Sequence, residues 1–285
     1  MKRPLSTVCA LALALPALGQ TERPIQETTT VTTTTTTVPP SSGFDLLGEL
    51  WSMQDATPLP CGQVDLRLTG GWITSSAPAN KGDSGDDFVI TPSIVWGAAD
   101  NLEVFANVPS WVGAGGEIPG DEGNQGNFDT YAGLLWRFAD TDQGDWAFQA
   151  TTRIPTGDQS SGVDVEGRLI LTNEYASGLR SHFNFFTYSS NTSNVRNNRH
   201  LQCGAIVGLD GPLNGDGSVR WVLDYMNRTS TEYGHDNTNL LDAGFQWKID
   251  ECNNFGMSVQ AGLDHANDEA PNFGAKVTYS YSLTY

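Results

Sequence analysis

From Gln63 to the end of the chain, apolar and polar residues alternate at every second position. A period of two puts successive side chains on opposite faces of a strand, one face apolar and the other polar. Three stretches show it most cleanly. Val219, Trp221, Leu223 and Tyr225 oppose Arg220, Asp224 and Arg228. Leu241, Ala243, Phe245, Trp247 and Ile249 oppose Asp242, Gln246 and Lys248. Phe255, Met257, Val259, Ala261 and Leu263 oppose Ser258, Gln260 and Asp264. Clusters of Gly, Asn, Asp, Ser and Pro divide the pattern into twelve expected strands, near 63–75, 87–98, 101–112, 127–139, 145–156, 163–175, 179–190, 199–209, 218–229, 238–249, 254–264 and 272–285. Helical periodicity is absent from this region, so the fold class is all-β.

These strands are too long for a soluble sandwich, whose strands run to about five or six residues. At a rise of ~3.3 Å per residue and a tilt near 45°, twelve residues climb about 28 Å, close to the apolar band of an outer membrane. Long gaps (76–86, 113–126, 157–162, 191–198, 230–237, 265–271) alternate with short ones around Asp100, Asp140 to Gly144, Ser177-Gly178 and Glu251 to Asn253; GPLNGDG after the eighth strand is the exception. Aromatic residues gather near the strand ends as interface girdles do: Trp72, Trp96, Trp111, Trp136, Trp146, Tyr175, Tyr188, Tyr225, Trp247, Tyr279 and Tyr281. The expectation is a closed antiparallel transmembrane β-barrel of about 12 strands, an even number as such barrels have. Its last strand, carrying Tyr279, Tyr281, Leu283 and Tyr285 on one face, closes against the first, and its aromatic end is the signal expected to engage the barrel insertion machinery.

Upstream of the barrel the character changes twice. Lys2 and Arg3, an apolar run from Leu5 to Leu18 and the small residues Ala17 and Gly19 read as a signal peptide over 1–20. Residues 21–42, including TTTVTTTTTTVPPSS, cannot bury a core and are expected to form a disordered Thr/Pro-rich periplasmic spacer. Residues 43–62 form a short approach segment; Phe44, Leu47, Leu50 and Trp51 fall near helical spacing, and the barrel occupies 63–285. Both the leader and the C-terminus are then expected on the periplasmic side of an outer membrane. A net charge of −18 excludes nucleic acid as a partner. The polar strand faces nevertheless carry acidic and basic residues in balance, so the acidic excess belongs to loops, turns and leader, and the lumen is expected to be polar and nearly neutral.

The stretch YAGLLWRFADTDQGDWAFQATTRIPTGD, Tyr131 to Asp158, followed by EGRLILTNEYASGLRSHFNFFTY, resembles the meta-pathway phenol-degradation (transporter-like) family of outer-membrane barrels. The carriers are Gly133, Trp136 and Phe138 in one hairpin and the run Arg153-Ile154-Pro155-Thr156-Gly157-Asp158. The resemblance implies a closed barrel passing small aromatic or hydrophobic compounds, and it supplies no catalytic residues. The Thr-rich leader and acidic loops depart from it.

No phosphate-binding loop, nucleophile elbow or metal-ligand spacing is present, so neither a cofactor nor a metal is expected. The functional expectation is an outer-membrane channel passing small solutes without catalysis. Its lumen candidates, chosen by charge and position, are Arg153, Glu166, Arg168, Arg180, Arg220, Asp224, Asp242 and Lys248. Expected partners are outer-membrane lipid, the insertion machinery, a small-molecule solute and, through the Thr-rich leader, the cell wall. One alternative is a structural or adhesive barrel with an ion-paired closed lumen; another is a membrane-embedded lipid hydrolase using the inward His182, which the outward parity of Ser181 disfavours. Cys61 and Cys252 fall on one side of the barrel as candidates for a disulfide, and Cys203 shares the lipid-facing side of its strand. The acidic loops Asn80 to Asp87 and Gly113 to Asn127 lack calcium-loop spacing and read as solvated surface.

Overall fold

The computed structural model describes residues 52–74, 86–114, 129–141, 144–157, 162–189, 199–230, 233–263 and 272–284. The expected signal peptide, the spacer, residues 44–51, most of both acidic loops and Tyr285 lie outside them. The described strands are β1 (Gln63–Thr74), β2 (Asp86–Ala99), β3 (Leu102–Asn107), β4 (Ser110–Ala114), β5 (Thr130–Thr141), β6 (Gly144–Ile154) and β7 (Asp164–Glu174). They continue through β8 (Arg180–Ser189), β9 (Leu201–Pro212), β10 (Val219–Arg228), β11 (Thr238–Lys248), β12 (Asn253–Gly262) and β13 (Phe273–Thr284).

Every pairing is antiparallel, between successive strands except β2 with β4 and β3 with β5, and β1 pairs with β13 from Gln63↔Thr284 to Thr74↔Phe273 while pairing with β2 on its other side. The sheet is therefore a closed barrel. Its wall has twelve strands, because β3 and β4 are two halves of the third: both pair with β2, at Ser93↔Asn107 and Ile90↔Ser110. The break falls at Val108-Pro109, opposite Pro92. Neither proline can donate to the ladder, and the Val108 N–H is carried by the Pro92 carbonyl at 3.1 Å instead. The expected unbroken strand over 101–112 is corrected accordingly.

The faces sort opposite to those of a soluble protein. Leu66, Leu68, Ile94, Leu134, Phe185, Val207, Leu223 and Met257 are exposed on the outside, while Asp65, Arg67, Gln202, Asp224, Asp242, Gln246 and Thr278 are buried within. Large exposed apolar surface with buried charge is the signature of a wall facing lipid. Aromatics mark both rims. Trp72 meets Phe273 edge-on at 5.9 Å at the long-loop end, and Trp136 packs against Phe138 at 5.7 Å at the other. Tyr188 departs from the girdle expected of it. It shares the inward parity of His182, Asn184 and Phe186 and lies against Phe186 at 6.4 Å, with its hydroxyl donating to Gln202 inside the barrel.

The short-turn rim is tied by local hydrogen bonds. Gly178 takes φ +74 to close the β7–β8 turn, donating to the Tyr175 carbonyl at 2.8 Å. Asp250 accepts from the Asn253 side chain and from the backbone of Cys252 and Asn253, each at 2.8 Å, which holds its carboxyl below the usual carboxylate range. The candidate Cys61–Cys252 disulfide is not formed: both thiols are free and exposed. Cys61 precedes β1 and Cys252 precedes β12, so β13 stands between them.

A lipid-facing wall predicts a depth-dependent cost of charge. Leu223→Arg at mid-strand should destabilise the barrel by about 2–4 kcal/mol, and Ile249→Arg at the rim by about 0–1 kcal/mol. Equilibrium unfolding from phospholipid vesicles measures both, and equal costs would count against this orientation of the wall.

Candidate functional site

The lumen holds part of the chain's own backbone. Residues 52–59 run inward from the short-turn rim, where Gly62 donates to the Gly97 carbonyl at 2.9 Å and Gln63 to that of Pro60 at 3.0 Å. A non-helical, non-sheet segment away from water must find partners for its peptide groups, and here wall side chains supply them. Leu59 N–H donates to Glu103 Oε2 at 3.0 Å, and Ala56 N–H to Thr172 Oγ1 at 3.0 Å. Gln54 exchanges two bonds with the Asn184 amide, N–H to Oδ1 at 2.7 Å and Nδ2 to its carbonyl at 2.9 Å. Met53 N–H reaches Asp224 Oδ2 at 3.0 Å, Ser52 Oγ reaches Asp242 Oδ2 at 3.0 Å, and Arg168 Nη1 donates to the Ser52 carbonyl at 2.9 Å.

Two apolar clusters complete the seat. Met53 is fully buried among Phe186, Ile206, Val222, Met226 and Leu240, which is worth about 1.5–3 kcal/mol for such a side chain. Ala56 packs with Leu135, Ala147 and Ile170. Two inward glycines make the space. A Cβ on Gly208 would overlap the Met53 sulfur, and one on Gly97 would overlap the Pro60 carbonyl oxygen.

An ionic network below Met53 locks the segment to the wall. Asp55, 1% exposed, pairs with Arg180 Nη1, and Arg180 Nε also bonds Asp210 Oδ2 at 3.0 Å. Arg220 Nε donates to Asp210 Oδ1 at 2.6 Å, and its Nη2 donates to the Gly178 carbonyl at 2.8 Å. His182 Nε2 lies 2.6 Å from Asp210 Oδ2 and its Nδ1 lies 3.0 Å from Thr172 Oγ1. A tautomer protonated on Nε2 satisfies both contacts, with the Thr172 hydroxyl donating to Nδ1 and accepting from Ala56. Both ring nitrogens of His182 are thus engaged in holding the plug, and Ser181 bonds instead with the Tyr175 hydroxyl at 3.1 Å. That is not the arrangement of a nucleophile and its base.

The structure brings the expected lumen residues into three groups. Arg180 and Arg220 share Asp210 in the plug anchor. Asp224 and Asp242 sit directly opposite one another on β10 and β11 and grip the plug end rather than an arginine. Arg153, Glu166 and Arg168 lie toward the long-loop end: Arg153 pairs with Asp129 and Asp164, and Arg168 Nη2 lies 2.9 Å from Glu166 Oε1. Lys248 stands apart, half-buried at the end of β11. The Arg153-to-Gly157 run also fastens the wall there, since Gly157 N–H donates to Asp129 Oδ1 at 3.0 Å and Thr156 Oγ1 accepts from Thr130 N–H at 2.8 Å.

Asp210, Asp55, Thr172 and Asn184 belong to the plug and its seat, and the sequence pattern did not single them out. Asp210 was legible: β9 extends to Pro212, and the parity of Gln202, Ile206 and Gly208 points it inward. Its neighbours Gly211-Pro212 resemble a loop, which hides the strand end. Above the plug, toward the long loops, lies a cavity of about 540 Å³ with Ser52 and Gln54 on its floor and Tyr131, Arg153, Arg168, Phe186, Tyr188 and Arg228 among its walls.

No family model and no curated protein matches the chain. Among solved structures it is similar to the COG4313 outer-membrane channel from Pseudomonas putida F1, with a TM-score of 0.65 and 13% identity over 80% of this chain and 98% of that one. The NanC porin gives a TM-score of 0.54 and 10% identity, covering 76% of this chain and all of that one, 100%. At these identities the likeness is one of fold.

The seat of the plug can be tested with a thiol at Ala56, in a background where Cys61, Cys203 and Cys252 are serine. Ala56→Cys should react slowly with water-soluble maleimides. Adding Gly208→Leu, which fills the space of the Met53 sulfur, should speed labelling at least about tenfold, equivalent to ~1.4 kcal/mol of plug stability. Equal rates with and without the leucine would show that the plug does not depend on this contact.

Proposed function

We propose that this protein is an outer-membrane channel for small solutes, closed at its short-turn end by residues 52–59 and acting without catalysis. The supporting observation is the order of features along the lumen: a cavity of about 540 Å³ toward the long loops, then a plug made of the chain's own backbone. A solute reaching the cavity can go further only when the plug shifts. The short turns and plug entry are placed on the periplasmic side and the long loops outside, the usual asymmetry of such barrels. The aromatic cavity wall and the resemblance carried by Arg153 to Asp158 favour the meta-pathway phenol-degradation kind of solute, small aromatic or hydrophobic compounds.

A second reading, a structural barrel with a permanently closed lumen, draws support from the several hydrogen bonds that join the plug to the wall. In that case envelope contact would come from the Thr-rich leader, and deletion of 21–42 should release cell-wall association without changing permeability.

Planar-bilayer recording separates the two. The intact protein should show small or infrequent conductance, and a variant lacking residues 43–59 should conduct at least several-fold more, with liposome swelling in small solutes rising in step. If the shortened protein folds as a heat-modifiable barrel yet conducts no more than the intact one, the gated-channel reading fails.

A further inference from the structure

The three arginines on the cavity wall are not equivalent. Arg153 is satisfied by Asp129 and Asp164, and Arg168 by Glu166, Ser52 and the face of Phe186, whose centroid lies 5.2 Å from its guanidinium carbon. Arg228 is different. No carboxylate among the described residues lies within ion-pair distance of it, and its buried Nε meets no acceptor. Two further donors on the same end of the lumen wall are also unmatched. Thr238, the cross-strand partner of Arg228, has a fully buried hydroxyl without a partner, and Gln202, also fully buried, has a free Nε2 while its Oε1 accepts from Tyr188. A half-buried guanidinium flanked by unmatched donors is a local excess of positive potential with no carboxylate among the described residues to neutralise it.

The wall beside it is apolar and aromatic. Met226 precedes Arg228 on the same face of β10, and Phe186 and Tyr188 stack at 24° to each other on β8, with Tyr131 also lining the cavity. The cavity is within the range of about 300–1,000 Å³ typical of small-molecule sites, which pair an apolar lining with a few polar groups that fix orientation.

We propose that this cavity is a binding site for small aromatic carboxylates, the carboxylate held by Arg228 and the ring laid against Phe186, Tyr188 and Met226. Arginine presents two parallel N–H groups that match a carboxylate, and the ring occupies surface too apolar for an inorganic anion. The site rests on the channel reading for its purpose, since it names the solute class, but binding itself requires no transport.

The test is equilibrium binding to the detergent-purified full-length protein, using three probes: benzoate, benzyl alcohol with the same ring and no charge, and acetate with the same charge and no ring. Benzoate should bind at least about tenfold more tightly than either, a ratio that needs no variant and so does not depend on a mutant folding. Arg228→Gln should lower benzoate affinity at least about tenfold and leave benzyl alcohol unchanged. Phe186→Leu should weaken both ring-bearing probes. Benzoate binding no better than benzyl alcohol, undetectable binding of benzoate, or insensitivity to Arg228→Gln in a correctly folded barrel would each overturn the proposal. Conductance without this selectivity sinks the site and spares the channel; selective binding in a barrel that never conducts does the reverse.

Discussion

In the apolar interior of a membrane a peptide N–H or C=O without a partner costs several kcal/mol, and nothing outside the protein can supply one. The closed wall follows from that constraint. The β1–β13 ladder gives the first and last strands the partners that an open sheet would leave to lipid. Once the wall is closed, alternation has only one sense: apolar residues such as Leu66, Leu223 and Val259 go to lipid, and charged ones such as Asp65, Arg220 and Asp242 go inside. Even the lapse at Pro109 obeys it, because Val108 turns its N–H to Pro92 rather than leaving it unmatched.

The same accounting governs the plug, with a different currency of partner. Residues 52–59 cannot form a ladder inside the barrel, so the lumen offers side chains in place of strands: Glu103, Thr172, Asn184 and Asp224 each accept one of its N–H groups. This explains why so many buried wall residues are acceptors and why Asp224 and Asp242 stand together without an arginine. They are placed to receive peptide and hydroxyl donors. Arg180, held between Asp55 and Asp210, adds an ion pair between plug and wall.

What was legible in the sequence follows from the range of the interactions involved. Alternation is local, so β10, β11 and β12 emerge within two residues of their expected limits, and closure follows from their length and number. Pro92 and Pro109 were equally visible, but that they face each other depends on the β2–β3 register. The plug left no periodic trace, since its partners lie between 44 and 190 residues away, Leu59 to Glu103 and Ser52 to Asp242. Charge counting pointed to a polar lumen face whose opposite charges can pair between adjacent strands, and several do: Asp210 on β9 meets Arg180 on β8 and Arg220 on β10, and Arg153 on β6 meets Asp164 on β7. It did not show that one carboxylate would gather two arginines and a histidine, or that Arg228 would have no carboxylate within ion-pair distance among the described residues. Tyr188 misled for a related reason: an aromatic near a strand end fits a girdle, and only its parity with Asn184 points it inward.

Wall and plug are built from bonds of similar geometry but with different alternatives. A wall N–H released from its ladder faces lipid, so opening the wall costs the full desolvation of each group. A plug N–H released from Asn184 or Asp224 faces a polar lumen, where water entering from the cavity can replace the lost partner, and the net cost falls toward the modest value of an ordinary exchanged hydrogen bond, about 0.5–1.5 kcal/mol. The apolar contacts of Met53 and the ion pair of Asp55 are the parts of the seat that water replaces poorly. Any motion that opens the lumen is therefore confined to the plug, and its barrier is set chiefly by Met53 leaving the pocket above Gly208 and Asp55 leaving Arg180, while the barrel around them stays intact.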